Sequence, residues 1–299
     1  MDVQKFHTGK ILIPVDFSDY SIQACAIGFN YAKEINAEII IMHAFYTSFF
    51  PSSILLDDTF SFPLSNEEET KVMQNEAEKE FGNFLTFIKE KISAKEWPDV
   101  PFTPILKNGL AEDEIANYSQ INKPNLIIMG TRGKNQKDID LIGSVTAEVL
   151  DRVKEPLFAI PEKTPFSCFS EIKRIAFGTG FDQKDLIAAN ALFKMFDRYP
   201  VEYYFFHITQ RHSGDAWNEI KIAGIKEYFA KKYPNTIIKY DIINGNDFVL
   251  NMERFIRNNK IDVISLSTYK RNIFARLFNP SMARKMLFHT DTPLLALRF

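Results

Sequence analysis

The chain writes its hydrophobic pattern twice, and that repetition restricts its fold more than any other feature. Lys10-Ile11-Leu12-Ile13-Pro14-Val15-Asp16 runs into Phe17; 164 residues later Arg174-Ile175-Ala176-Phe177-Gly178-Thr179-Gly180 runs into Phe181. Ile39-Ile40-Ile41-Met42-His43 meets Tyr203-Tyr204-Phe205-Phe206-His207 at the same spacing. Towards the end of each half the spacing falls to 137: Asn125-Leu126-Ile127-Ile128-Met129 matches Asp262-Val263-Ile264-Ser265-Leu266, and Glu155-Pro156-Leu157-Phe158-Ala159-Ile160 matches Thr292-Pro293-Leu294-Leu295-Ala296-Leu297. The difference is extra chain in the first half, most of it in the segment 47–66. Pro161, Pro165 and Ser167 interrupt the pattern between the copies. Two domains follow, 1–163 and 164–299, which suits a chain of 299 residues.

Within each copy, short apolar runs alternate with amphipathic ones. Strands are expected near 10–15, 38–44, 102–107, 125–129 and 157–160, apolar on both faces as in a buried parallel sheet. Helices fit 18–34, 67–93, 111–120 and 144–153, with Ser18 as an N-cap. The second copy repeats the strands near 173–178, 201–208, 236–242, 261–267 and 294–298. Such alternation implies βαβ units and an α/β fold of two tandem doubly wound parallel-sheet domains.

Composition removes several classes of function. Lysine and arginine number 36 against 38 acids, a net charge of −2, so no overall electrostatic drive towards nucleic acid or an anionic membrane exists. No apolar run reaches bilayer length, and the start is polar, so a cytoplasmic protein without membrane contact is expected. Two cysteines, Cys25 and Cys168, make no disulfide framework. His7, His43, His207, His212 and His289 have no metal-ligand spacing, and no nucleophile elbow or Cys–His pair occurs. Asp16 and Asp19 are a nearby carboxylate pair, explained equally by the charge preference of a helix start.

In an open α/β sheet, ligands bind beyond the carboxyl ends of the strands, where strand order reverses. The exits of the first and fourth strands are Pro14-Val15-Asp16 and Met129-Gly130-Thr131-Arg132-Gly133. Three of the chain's 12 glycines fall between 130 and 143. Gly130 and Gly133 permit positive φ and close approach of a ligand. Gly143 and Ser144 then open a helix, whose amides at Ser144, Val145 and Thr146 have no partner within it and suit phosphate. The two hydroxyls could add donors or help hold a phosphate-bound Mg²⁺. A glycine-rich connection with a serine cap is the plainer account of the same residues.

The spacing Gly130-x2-Gly133-x9-Gly143-Ser144 resembles the nucleotide-binding signature of the universal stress protein family. Ile11-Leu12-Ile13-Pro14-Val15-Asp16-Phe17-Ser18 and Ile41-Met42-His43 resemble its first two strands. The whole chain is similar to a tandem member. The resemblance implies Rossmann-like domains of the adenine nucleotide alpha hydrolase type. It also implies ATP, with or without Mg²⁺, since one subclass of the family binds ATP and another does not. By that likeness Pro14, Val15 and Asp16 line the adenine and ribose side, Ile41 lies under the base, and Met129 and Gly130 line the adenosine. Arg132 and Gly133 border the phosphates, and Gly143, Ser144, Val145 and Thr146 hold them. The likeness further suggests pairing of the last strands, near 156–160 and 293–298, as an intrachain pseudo-dimer, with room for a homodimer and an unidentified protein partner.

The second half departs from the signature. Gly130, Gly133 and Gly143 become Ser267, Lys270 and Pro280, and Asp16 becomes Gly180, so nucleotide is expected in the first domain only. Proline removes an N–H donor, and side chains make left-handed angles costly. The function expected is nucleotide-dependent stress sensing or signalling by binding. Its rivals are slow ATP hydrolysis or autophosphorylation at Ser144 or Thr146, and a scaffold that binds no nucleotide. The apolar segment 47–66 is a lid, a partner surface or folded-back chain. The basic stretch 270–285 is an anion site, a docking face or simply a solvated surface.

Overall fold

The computed structural model describes residues 9–46, 67–132, 143–180, 183–209, 216–244, 248–267 and 292–298. All of 47–66, all of 270–285 and Gly133 lie outside them. The first half runs β1 (Lys10–Pro14), α1 (Asp19–Ile35), β2 (Glu38–Phe45), α2 (Glu67–Ser93), β3 (Phe102–Asn108), α3 (Ala111–Asn122), β4 (Leu126–Gly130), α4 (Ser144–Arg152) and β5 (Leu157–Ile160). After a 3₁₀ turn at Phe169–Glu171, the second half runs β6 (Arg174–Gly178), α5 (Gln183–Met195), β7 (Glu202–Thr209), α6 (Ala216–Lys232), β8 (Ile238–Asn244), α7 (Phe248–Asn259), β9 (Val263–Ser267) and β10 (Leu294–Leu297).

The ten strands of the described residues form one sheet in the order β3-β2-β1-β4-β5-β10-β9-β6-β7-β8. Every pairing is parallel except the central one, where β5 and β10 run antiparallel with Leu295 opposite Phe158. Strand order reverses beside β1 in one half and β6 in the other. The registers repeat as well: Ile11 faces Ile39 and Leu126, while Ile175 faces Tyr203 and Val263. These are the 164- and 137-residue spacings of the sequence.

Local chemistry sets the ends of the elements. Ser18 caps α1 by accepting from the Ser21 amide, and Asn36 closes it in the left-handed region at φ 55°. β4 and β5 are buried along their whole lengths because helices cover both faces. Edge strand β3 is largely exposed and carries Pro104, which suits a strand paired on one side only.

Two apolar layers cover the sheet, and both continue across the two halves. One holds Ile13, Phe29, Ile41, Phe158, Phe169, Phe177 and Phe205. The other holds Leu12, Met42, Ile115, Met129, Phe206, Phe255 and Leu266. At the junction Tyr31 of α1 stacks on Phe169 at 3.8 Å, and Phe169 stacks on Phe196 at 5.3 Å. Arg198 donates to the Glu34 carbonyl at 2.6 Å, and the Tyr199 hydroxyl donates to the Glu34 carboxylate. Among the described residues, no helix is long and apolar enough to cross a membrane.

Candidate functional site

A cavity of about 350 Å³ opens beyond the carboxyl ends of β1, β2 and β4. That is within the usual range for small-molecule pockets and at the position where strand order reverses. Pro14, Val15, Asp16, Met129, Gly130, Arg132, Gly143, Ser144, Val145 and Thr146 line it, together with Ser21, Met42, Ala44, Ala111 and Ile115. Ten of the twelve residues singled out in the sequence therefore share one cavity.

Ile41 is a correction. It is fully buried in the apolar layer beneath α1 and α2 and does not line the cavity. Its neighbour Met42 does, because successive side chains of a strand point to opposite faces. Gly133 lies outside the described residues. Gly130 also acts differently from expectation, since its φ is not in the left-handed region. A Cβ there would stand 2.6 Å from the Cβ of Tyr20, so glycine is needed for the close packing of α1 on the end of β4.

The two sides of the cavity differ in polarity. On one side Asp16 accepts from the Ser18 hydroxyl at 2.6 Å and the Ser18 amide at 3.2 Å, which folds the β1–α1 turn. On the other side α4 begins at Gly143, which has no side chain to cap it. The amide of Gly143 donates to the Thr131 carbonyl at 2.7 Å, and the Thr146 hydroxyl donates to the Gly130 carbonyl at 2.9 Å. These two bonds fasten the helix start to the end of β4. The Thr146 hydroxyl, expected to face phosphate or Mg²⁺, is therefore buried and occupied in the fold. Ser144 is exposed, and the first turn of α4, whose amides have no partner within the helix and which carries its partial positive charge, lines the cavity.

His43 explains the β1 exit. Its Nδ1 bonds the Val15 carbonyl at 2.8 Å, so that nitrogen carries the proton. Its ring packs on Phe17 at 4.3 Å, and Phe17 sits in the left-handed region at φ 65°, rare for a bulky residue. Burial pushes the His43 pKa below its ordinary value, against the opposing effects of the Val15 bond, Asp16 and Glu80. His207 makes the same 2.8 Å bond to the Thr179 carbonyl in the second half. Both histidines brace the turn after the first strand of their half. Asp19 is exposed in the first turn of α1 and does not line the cavity with Asp16. Cys25 is fully buried, and desolvation raises its thiol far above the ordinary range, which keeps it inert.

Sequence reasoning missed Ser21, Met42, Ala44, Ala111 and Ile115. The β2 run is apolar on both faces, so its pattern carries no facing information. Ala111 and Ile115 stand four apart on α3, a helical spacing that reads equally well as core.

In the second half the corresponding positions hold different side chains. Phe206 stands for Met42 at the 164-residue spacing, while Met252, Phe255 and Leu266 stand for Ile115, Tyr118 and Met129 at 137. Phe206 and Phe255 are buried with ring centroids 5.3 Å apart. A Cβ on Gly178 would meet Leu266 at 2.6 Å and Phe206 at 3.0 Å. In place of Asp16 there is Gly180, whose amide donates to the buried Asp185 at 2.6 Å.

Comparison with known proteins agrees with this architecture. The family model of the universal stress protein family matches residues 7–161. A universal stress protein of Methanocaldococcus jannaschii is 30% identical over 151 residues, covering 50% of this chain and 81% of that protein. One from Bacillus subtilis is 30% identical over 140 residues, covering 47% and 90%. A universal stress protein structure from Archaeoglobus fulgidus superposes on nearly the whole chain, with TM-score 0.64 at 16% identity, covering 97% of this chain and 96% of that one. That likeness establishes a shared α/β fold. The cavity at the strand reversal, Gly130 and Gly143 in its lining and the family match lead to one conclusion: the chain belongs to the universal stress protein family, a family of stress-response proteins.

Proposed function

We propose that the chain is a stress-response module that binds one ATP in its first half and works through the bound state rather than through turnover. The observation that carries this reading is the polarity of the 350 Å³ cavity: a carboxylate, Asp16, on one side and the uncapped start of α4 with Arg132 on the other. Ribose hydroxyls are donors and suit Asp16; phosphates are acceptors and suit the amides of Ser144, Val145 and Thr146 and the guanidinium. Met42, Ala44, Ala111, Ile115 and Met129 give an apolar wall for a base. Mg²⁺ in this reading accompanies the phosphates beside the Ser144 hydroxyl. The second half supports a single nucleotide per chain, because Phe206 and Leu266 stand there at the positions of Met42 and Met129, which line the first-half cavity, and Phe206 is packed against Phe255.

Slow turnover is the second reading. Ser144, exposed at the cavity, is its candidate phosphoryl acceptor, while Thr146 spends its hydroxyl on Gly130. A single-turnover assay with labelled ATP separates the two: product or phosphoprotein forming within minutes favours the enzyme, and intact ATP after hours favours the binder. A reducing cytoplasm suits the buried thiol of Cys25.

The decisive experiment is to boil the purified protein, chromatograph the supernatant for adenine nucleotide, and titrate the stripped chain with ATP by calorimetry. The expected outcome is one equivalent per chain. Two equal sites, or no affinity for adenine nucleotides, would refute the proposal.

A further inference from the structure

We propose that Tyr20 is a positioning residue for Arg132, and that through it the cavity favours polyphosphate over the bare nucleoside. This rests on the nucleotide reading above and deepens it. Tyr20 is the second residue of α1 and does not line the cavity; Arg132, two residues past the end of β4, does. The Arg132 guanidinium donates from Nη1 to the Tyr20 hydroxyl at 3.4 Å, and its carbon lies 5.9 Å from the centre of the tyrosine ring. Both contacts favour a cation held beside the ring.

The backbone is shaped for this pair. A side chain at position 130 would collide with the Cβ of Tyr20 at 2.6 Å and with its carbonyl carbon at 3.0 Å. Glycine therefore lets the first turn of α1 stand directly against the end of β4, from which Arg132 departs. An unsupported arginine would have to be ordered by the phosphates at the expense of affinity. Held by Tyr20, it is set beforehand on the cavity wall that also carries the Ser144 and Val145 amides. The contact adds nothing for a ligand without phosphates, so its effect grows with ligand charge.

The test is a set of calorimetric titrations of the full chain with ATP and with adenosine. Tyr20→Phe keeps the ring and its packing against Gly130 and removes only the hydroxyl. Its affinity for ATP is expected to fall about 3- to 10-fold, the scale of one partly exposed charged hydrogen bond, with adenosine changed by less than about twofold. Arg132→Gln should lose ATP affinity at least as far, and adding Tyr20→Phe to it should cost nothing further, as for two residues acting as one unit. Equal losses for ATP and adenosine, additive losses in the double variant, or unchanged ATP binding by Tyr20→Phe would each overturn the inference while leaving the nucleotide reading intact. A wild-type chain that binds neither ligand would overturn both.

Discussion

A methyl group at position 130 has nowhere to go, because the nearest obstacle is the Tyr20 Cβ and the next is its backbone. At Gly28 the obstacle is the far end of the Ile13 side chain, 2.4 Å away, which has freedom to turn aside. Gly130→Ala is thus expected to destabilise the protein by about 1–3 kcal/mol, and more than Gly28→Ala, in urea unfolding. Identical midpoints for the two variants would contradict the packing argument. His43 adds a pH effect of definite sign. Its folded pKa lies below the unfolded value, so the unfolded chain binds the extra proton first. Its contribution is complete above the ordinary histidine value near 6.5, and is lost as pH falls from there through the folded value. Urea midpoints measured between about pH 5 and 8 should rise with pH, and His43→Asn should flatten that slope.

At the scale of elements, the start of α4 combines a structural and a binding role that substitution can separate. The Gly143 amide is already committed to Thr131, so a proline at 143, which has no N–H, would break that bond and disturb the fold and the cavity together. Ser144 is the better probe. Proline is well tolerated at the first helical position, and Gly143 before it already has φ −60° and ψ 150°, the extended geometry that proline requires. Ser144→Pro removes one amide donor and the hydroxyl while keeping the helix. ATP affinity is expected to fall by about tenfold or more, with the melting temperature unchanged or slightly raised. Undiminished binding would mean that this helix start does not hold phosphate. Helix and strand positions were readable because caps and apolar periods are local: Ser18 marks the start of α1, and the spacing of apolar residues marks the strands and helices after it. The side of β2 facing the cavity was not readable. Both faces of a buried strand are apolar, and only pairing with β1 decides that Met42, not Ile41, meets it.

For the whole molecule, the antiparallel β5–β10 seam turns two half-sheets into one. Both apolar layers run across it, and Arg298 adds hydrogen bonds to the Asp151 and Val153 carbonyls at 2.7 and 3.1 Å. Unfolding is accordingly expected to be a single transition. Leu295 is fully buried at the seam, whereas Leu250 is 40% exposed on α7. Leu295→Glu should cost roughly 3 kcal/mol or more by burying a charge, or separate the transition into two, while Leu250→Glu stays within about 0.5 kcal/mol. Equal effects of the two substitutions would refute a seam shared by both halves.

Periodicity, caps and the doubled pattern determined by themselves the alternation of strands and helices, the repeated strand register and the region of the cavity, because those are properties of neighbours along the chain. Only the tertiary structure decided which face of β2 meets that cavity, why position 130 admits no side chain, and that Thr146 is spent on the fold while Tyr20 reaches Arg132. These depend on groups from different elements, 16 residues apart for Thr146 and Gly130 and 112 for Tyr20 and Arg132, or on opposite faces of one strand, and such proximity exists only once the sheet has closed.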